Sequence, residues 1–359
     1  MISLKECISK IESKITSWKE NQWLDLNEEL GNSTLDIMSN IIFAKNINEK
    51  IGSFTYIKPN GNEVQLEYIK MFKQVLDDNV KSVFHLITFL LPFLEKYSLC
   101  QPFTTIKKNS IELRNKLQKF LDDNPDESSV YEQLVSEYKV DKTQALYDII
   151  ILSFAGYDTV SHAICSVIYY MKANPKLLEK LKSEFNKIGI NQHSDFSKRE
   201  VKEKIQNCDY FMYCVKETLR IDPPAFISLP YITIDDVEIC GVKINKNEHV
   251  MTNIIYVHHN SKEWQKPLEF IPERFDPESP YFVRPDGKPR SPYSFIPFMV
   301  GDRKCPGQTL AMLEIKVIAA KILTSIDYDI DEELLKNKYT RFGVLSNFKI
   351  KLKLNKRYD

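Results

Sequence analysis

Glycine is scarce in this chain, with 10 in 359 residues. None of them falls in the Gly-x-Gly-x-x-Gly spacing that brings a backbone close to a pyrophosphate. The chain therefore shows no nicotinamide- or flavin-binding segment of its own. Charge of one sign is also missing: 49 basic residues face 49 acidic ones, so no overall attraction to nucleic acid or to an acidic membrane is implied. Six histidines contain no His-x-x-x-His pair, which argues against a separate metal site. Seven cysteines, an odd number without repeated spacings or a signal peptide, read as reduced thiols on a reducing, cytosol-facing side. No repeat, low-complexity tract or long linker interrupts the chain, although residues 122–129 and 189–197 read as polar loops. One large core is expected.

What the sequence does have is a long apolar stretch from Asp141 to Asn174. Asp141 followed by Gln144 resembles a capping box, and Pro175 marks the far end, so the whole stretch is predicted as one helix. Residues 149–171 are apolar enough to raise a bilayer span, yet Asp158 and His162 lie near the middle. A central aspartate opposes insertion by about 2.5 to 3.5 kcal/mol, so a helix through a large core is expected, with His162 as a packed residue. The helix carries Ala155-Gly156-Tyr157-Asp158-Thr159. Either Gly156 admits a flat ligand to the helix backbone while Asp158 and Thr159 relay protons, or Gly156 serves close packing and Thr159 bonds back to its own helix. The apolar run from Val83 to Leu94, broken by His85 and Pro92, is too short to span a bilayer and reads as a buried helix. Near the C-terminus, Phe348, Ile350, Leu352 and Leu354 alternate with lysines 349, 351 and 353, the pattern of a half-buried strand.

Farther along stands Glu217-Thr-Leu-Arg220, followed by Asp222-Pro223-Pro224. Residues three apart share a helix face, so Glu217 and Arg220 can pair, and the prolines end the helix near Ile221. Pro272-Glu273-Arg274-Phe275 follows, and then the run Phe298-Met-Val-Gly301-Asp-Arg303-Lys-Cys305-Pro-Gly307. In that run two glycines let the backbone approach something flat, and an apolar helix begins just after the sulfur. A lone cysteine cannot form a structural zinc site, whereas haem iron accepts a single thiolate because the porphyrin supplies the other donors. Pro306 suits a first helical position, which would aim amides of the next turn at the sulfur.

These residues resemble the cytochrome P450 family, whose haem-binding loop reads Phe-x-x-Gly-x-Arg-x-Cys-x-Gly, and every fixed position is filled here. The resemblance implies a mainly α fold with small β-sheets, forming a single haem-thiolate domain over residues 1–359. It implies haem b (iron protoporphyrin IX) with Cys305 as axial iron ligand, Phe298 shielding the sulfur, Arg303 pairing a propionate, and Gly301 and Gly307 lining the cofactor. Ala155 and Gly156 would face the haem on its distal side, where Asp158 and Thr159 would manage proton delivery to dioxygen. Glu217, Arg220 and Arg274 would form a buried structural triad. Val257-His258-His259-Asn260 with Trp264 resembles a further family segment, so the resemblance runs from about Asp141 to the C-terminus; before Asp141 it rests only on a helical pattern.

The implied activity is a monooxygenase acting on a small lipophilic substrate and O2, with electrons from NADPH through a separate reductase. Arg303, Lys304 and Lys316 are read as cations available to that acidic partner. A related reading is a haem-thiolate isomerase or dehydratase that rearranges peroxides, although such enzymes tend to lose the threonine that Thr159 supplies. A non-enzymatic reading is a truncated chain that binds haem without turnover. Two departures bear on these expectations. Tyr231 stands where the family usually has an arginine toward a propionate, and a tyrosine offers one hydrogen bond in place of a charged pair. Trp18 and Trp23 are followed by no arginine in the family's Trp-x-x-x-Arg spacing, and residues 25–46 look like the helix after that element, so the domain is expected to be N-terminally incomplete. The resemblance implies attachment to the endoplasmic reticulum membrane only if an N-terminal anchor exists upstream.

Overall fold

The computed structural model describes residues 4–83, 91–331, 340–342, 345–347 and 350–358. Its α-helices are α1 (Leu4–Ser17), α2 (Leu26–Phe43), α3 (Ile47–Lys50), α4 (Tyr68–Val83), α5 (Pro92–Lys96), α6 (Phe103–Asp123) and α7 (Val130–Ser136). They continue with α8 (Lys142–Ala173), α9 (Pro175–Lys187), α10 (Arg199–Gln206), α11 (Asp209–Ile221), α12 (Ile254–His258) and α13 (Gln308–Ser325). The strands are short and pair antiparallel. The chain divides into two compact units, one centred on Asn32–Tyr157 and the other on Ile8–Gly31 with Asp158–Asp359.

The first unit is built around Tyr68. Its ring is fully buried and meets Phe43, Phe54 and Phe72 with centroids 6.4, 6.3 and 5.6 Å away. Such packing gives directional contacts beyond area burial. The phenol still has a partner, since the Ser39 hydroxyl lies 3.3 Å from it, and burial raises its pKa. Leu35, Leu113, Leu117 and Ile149 extend the same cluster.

A hairpin of β2 (Phe54–Ile57) and β3 (Glu63–Leu66) lies in the stretch where the sequence suggested only helix. Asn60-Gly61 makes its turn, with Gly61 at φ +85°, and Asn109 of α6 both donates to and accepts from the Ile57 backbone at 2.9 Å. Phe54 and Tyr56 alternate inward, a signal four residues long and therefore easily lost beside helical neighbours.

Helix α8 starts and stops where its sequence signals place it. Asp141 caps it by accepting from the amides of Thr143 and Gln144 at 2.9 and 3.2 Å. Only half of the capping box forms, because the Gln144 amide turns forward to Asp148 at 2.8 Å. Among the described residues α8 is the one helix long and apolar enough to cross a membrane, and 56% of its apolar window is buried inside the protein. Val160, Ile164, Ile168 and Met171 all face protein, which accounts for the apolar composition without a bilayer. Residues 84–90 of the apolar run Val83–Leu94 lie outside the described residues.

In the second unit a sheet takes the order β1 (Trp23–Asp25), β11 (Lys351–Arg357), β8 (Ile326–Ile330). Leu352 and Leu354 are buried while Lys353 reaches Asp329 at 3.4 Å, as the alternating pattern requires; Phe348 and Lys349 lie outside the described residues. Smaller pairs join β4 (Tyr231–Ile232) to β7 (His249–Val250) and β5 (Val237–Ile239) to β6 (Val242–Ile244). Helix α9 packs on α11 through Phe185 and Phe211, edge to face at 5.0 Å with both rings fully buried. Phe211→Ala should cost about 3–5 kcal/mol of unfolding free energy in a denaturant titration. A loss below about 1 kcal/mol would show that this contact is not part of the core.

Candidate functional site

Helix α11 places Glu217 and Arg220 one turn apart, and the 3-10 turn Pro272–Phe275 adds Arg274. All three side chains are fully buried. Glu217 accepts from Arg220 Nε at 2.7 Å and Nη2 at 2.8 Å, from Arg274 Nε at 3.0 Å, and from the Ile271 amide at 2.9 Å. One carboxylate thus faces two guanidinium groups, an excess of positive charge that would be costly in a dry interior. Main-chain carbonyls take up the remainder. Arg220 donates to His258 O at 2.9 Å, Pro267 O at 2.7 Å and Glu269 O at 3.2 Å, while Arg274 donates to the carbonyls of Gln265, Lys266 and Glu269. The segment from His258 to Glu269 is thereby wrapped around the two arginines.

A third arginine completes the cluster without any sequence signal. Arg290 lies over the Trp264 ring at 4.3 Å, with Arg220 5.2 Å from the same ring. It donates to the carbonyls of Tyr281 and Arg274 at 2.9 and 2.7 Å. Burial, and then the charge of Arg274, lowers its pKa to about 10, so it remains a cation held by carbonyls and an indole face.

His258 carries this rigidity to the cysteine loop. Its carbonyl takes Arg220, while its ring Nε2 accepts from the Ile296 amide at 2.9 Å, which fixes the proton on Nδ1. Burial, and then the nearby Arg220, pushes its pKa down to about 3, so the ring is neutral. The Phe295 ring lies 5.4 Å from His258 and 5.0 Å from Phe275, which in turn lies 5.9 Å from Trp264. From Ile296 the backbone turns: Met299 N donates to Ile296 O at 3.0 Å, Lys304 N to Gly301 O at 3.1 Å, and Cys305 N to Phe298 O at 2.8 Å. Met299 and Gly301 sit at φ +60° and +79°, and these left-handed residues let the loop reverse. Residues 300–306 are exposed, Cys305 among them.

Helix α13 begins at Gln308 with Gly307 as its cap, so Pro306 lies before the helix and not at its first position. The expectation for Lys316 is corrected too. Its side chain is buried and donates to Gln206 O at 3.2 Å, which removes it from any partner-facing surface. Arg303 and Lys304 are exposed, and Arg303 makes no ion pair among the described residues.

Ala155 and Gly156 of α8 belong to the first unit, and Asp158 and Thr159 begin the second. Ala155 and Ile151, one turn apart, are uncovered, Ile151 to 63%. The space beside Gly156 is not open: a Cβ there would stand 2.6 Å from Met38 Cε, so the missing side chain serves close packing on α2. Thr34 of α2 donates to the Tyr157 carbonyl at 3.0 Å. His162 is buried 3.4 Å from Asp222, which also accepts from Ser166 at 2.6 Å, a packed position within the second unit. Tyr231 lies in β4, partly exposed.

The family model for cytochrome P450 matches residues 4–354, and the chain belongs to that family. Human cytochrome P450 4F12 is 35% identical over 171 residues, covering 47% of this chain and 30% of the relative. The guinea-pig (Cavia porcellus) steroid 17-alpha-hydroxylase/17,20 lyase is 32% identical over 180 residues, covering 50% and 33%. Mouse cytochrome P450 3A25 is 26% identical over 325 residues, covering 86% and 60%. The chain thus spans between about a third and three fifths of the length of these relatives. The solved structure of retinoic acid-bound cyanobacterial CYP120A1 superposes with a TM-score of 0.74 at 19% identity, covering 98% of this chain and 74% of that one, which establishes the cytochrome P450 fold.

That family and fold bind haem, and the residues present suit it. Among the described residues no group of three or more His, Cys, Asp or Glu side chains could hold a metal ion, while the exposed Cys305 offers a single thiol, a donor that suits a macrocycle bringing its own nitrogens. Nothing lies within 4 Å of where a Cβ on Gly301 would stand. In the same unit Leu229, Met251, Tyr256 and Val300 leave large apolar surfaces uncovered, the kind of surface an apolar ring system would cover.

Glu314 of α13 was not foreseen. It is buried, neither carboxyl oxygen has a hydrogen-bond partner among the described residues, and burial pushes its pKa up to about 8. The folded protein therefore keeps this proton over a range in which the unfolded chain, near 4.5, has lost it. Stability should fall as pH rises from about 4.5 through 8. Glu314→Gln removes that titration, and unfolding curves at the two ends of the window should converge for the variant and diverge for the parent by a few kcal/mol. Parallel pH profiles for the two proteins would contradict a buried neutral carboxyl.

Proposed function

We propose that this chain is a haem b monooxygenase of the cytochrome P450 family, a single haem-thiolate domain with Cys305 as the axial ligand. Its substrate class would be a small lipophilic organic molecule, with electrons delivered from NADPH by a separate reductase. The observation that carries this reading is the Cys305 loop: an exposed thiol on a backbone closed by the bond from Cys305 N to Phe298 O and anchored through Ile296 and His258 to the Glu217 cluster.

Haem held by a thiolate activates dioxygen for insertion of one atom into a substrate, with reduction of the other to water. The remaining tasks fall to the chain's own side chains. Cys305 would present its sulfur from a loop whose backbone is closed by the bond from Cys305 N to Phe298 O. Phe298 beside it would limit water access to the sulfur, and Gly301 and Gly307 would keep the backbone low against a flat ring. Arg303 would pair with a propionate, a task in which Tyr231 can add only a single hydrogen bond. On α8, Asp158 and Thr159 would hold and pass a proton at Thr159 Oγ1. The retained threonine favours the monooxygenase over a peroxide-rearranging isomerase. Glu217, Arg220 and Arg274 would act only by fixing the loop.

The chain expressed with added haem should give, on reduction under carbon monoxide, a strongly red-shifted Soret band that is absent in Cys305→Ser. A band indifferent to that substitution, or no haem uptake by the parent protein, would reject thiolate ligation at this site.

A further inference from the structure

Away from the cysteine loop, the second unit holds a cleft of about 420 Å³ that none of the chemistry above uses. This lies within the range of roughly 300–1,000 Å³ usual for small-molecule sites. Phe185 and Ile190 form an apolar floor, and Lys182, Lys356 and Arg357 bring three cations to the wall.

None of these cations has a carboxylate at ion-pairing distance among the described residues. Glu184 pairs with Lys187 at 2.7 Å. Asp327, opposite Lys356 in the sheet, accepts from Asn355 at 3.5 Å. Glu20 accepts from the Arg357 main-chain amide at 3.2 Å. The cations are oriented by neutral partners instead. Lys182 Nζ donates to Tyr358 Oη at 2.9 Å and lies 4.5 Å from that ring's centroid. Arg357 donates to the carbonyls of Ile15 and Trp18 at 3.1 and 2.5 Å.

Helix α9 ends here, and its carbonyl end contributes about half a negative charge. That end is already closed, since Ile188, Gly189 and Ile190 donate back to residues 184–186. Three cations outweigh it. The side chain of Asn186, exposed and without a hydrogen bond among the described residues, adds a neutral donor on the same wall.

We propose that this cleft is an anion site for a phosphoryl group, carried by a soluble phosphate ester or by a lipid headgroup. A phosphoryl group fits because it offers several acceptor oxygens and more than one negative charge to converging Lys and Arg donors, and the apolar floor would accept the carbon portion beyond it.

The test is calorimetric titration of this chain with inorganic pyrophosphate at low salt. The expected result is one site per chain, weakened at least tenfold in Lys182→Gln and in Lys356→Gln and unchanged in Lys176→Gln, an exposed cation on the same helix outside the cleft. Matching circular dichroism spectra will establish that each variant is folded. Flotation with vesicles containing phosphatidic acid separates the sources: binding lost in the same two variants assigns a lipid headgroup, and pyrophosphate binding without flotation assigns a soluble ester. No binding of either probe, or equal weakening in Lys176→Gln, would overturn the proposal. Neither readout depends on turnover, so its failure is distinct from failure of the monooxygenase reading.

Discussion

A single buried carboxylate, Glu217, holds the second unit's site together. Its four accepted hydrogen bonds gather two arginines and the start of the Pro-Glu-Arg-Phe turn, and those arginines gather the carbonyls from His258 to Glu269. Isolated buried charges are unstable in such surroundings, so the arrangement is stable only when nearly every donor is answered. Arg220 meets that condition with five donated bonds. The cysteine loop inherits this order through one histidine ring and a chain of tilted and edge-to-face aromatic contacts.

The contrast among cysteines shows what the loop achieves. Burial raises the pKa of Cys165, Cys208 and Cys214, so these remain thiols packed as small apolar groups. Cys305 is accessible because the loop turns outward at Met299 and Gly301, not because its surroundings are loose. Access and fixed position together are what a metal ligand needs.

Much of this was legible in the sequence because it is encoded locally. The ends of α8 follow from Asp141 and Pro175, and Glu217 and Arg220 share a face because they stand three apart. The loop's glycines and cysteine sit at fixed spacings. What escaped depends on partners far along the chain. Arg290 meets Trp264 and His258 meets Ile296 only once the chain has folded, and no periodicity announces either pairing. Lys316 reads as a surface cation because lysine usually is one, yet the helix turns it onto Gln206. Glu314 likewise looks like an exposed helix residue until the helix is buried around it. The hairpin at residues 54–66 is too short to outweigh the helical segments beside it, and Gly156, read for a ligand or for packing, is filled by Met38.

The most direct test of the central claim is amide hydrogen exchange at Ile296 and Cys305, compared between the parent protein and Glu217→Gln, with the helices around Tyr68 as an internal reference. If the buried cluster holds the loop, both amides will exchange faster in the variant while the reference helices keep their protection. Unchanged exchange at both amides would mean that the loop's order does not depend on Glu217, and the account would fail.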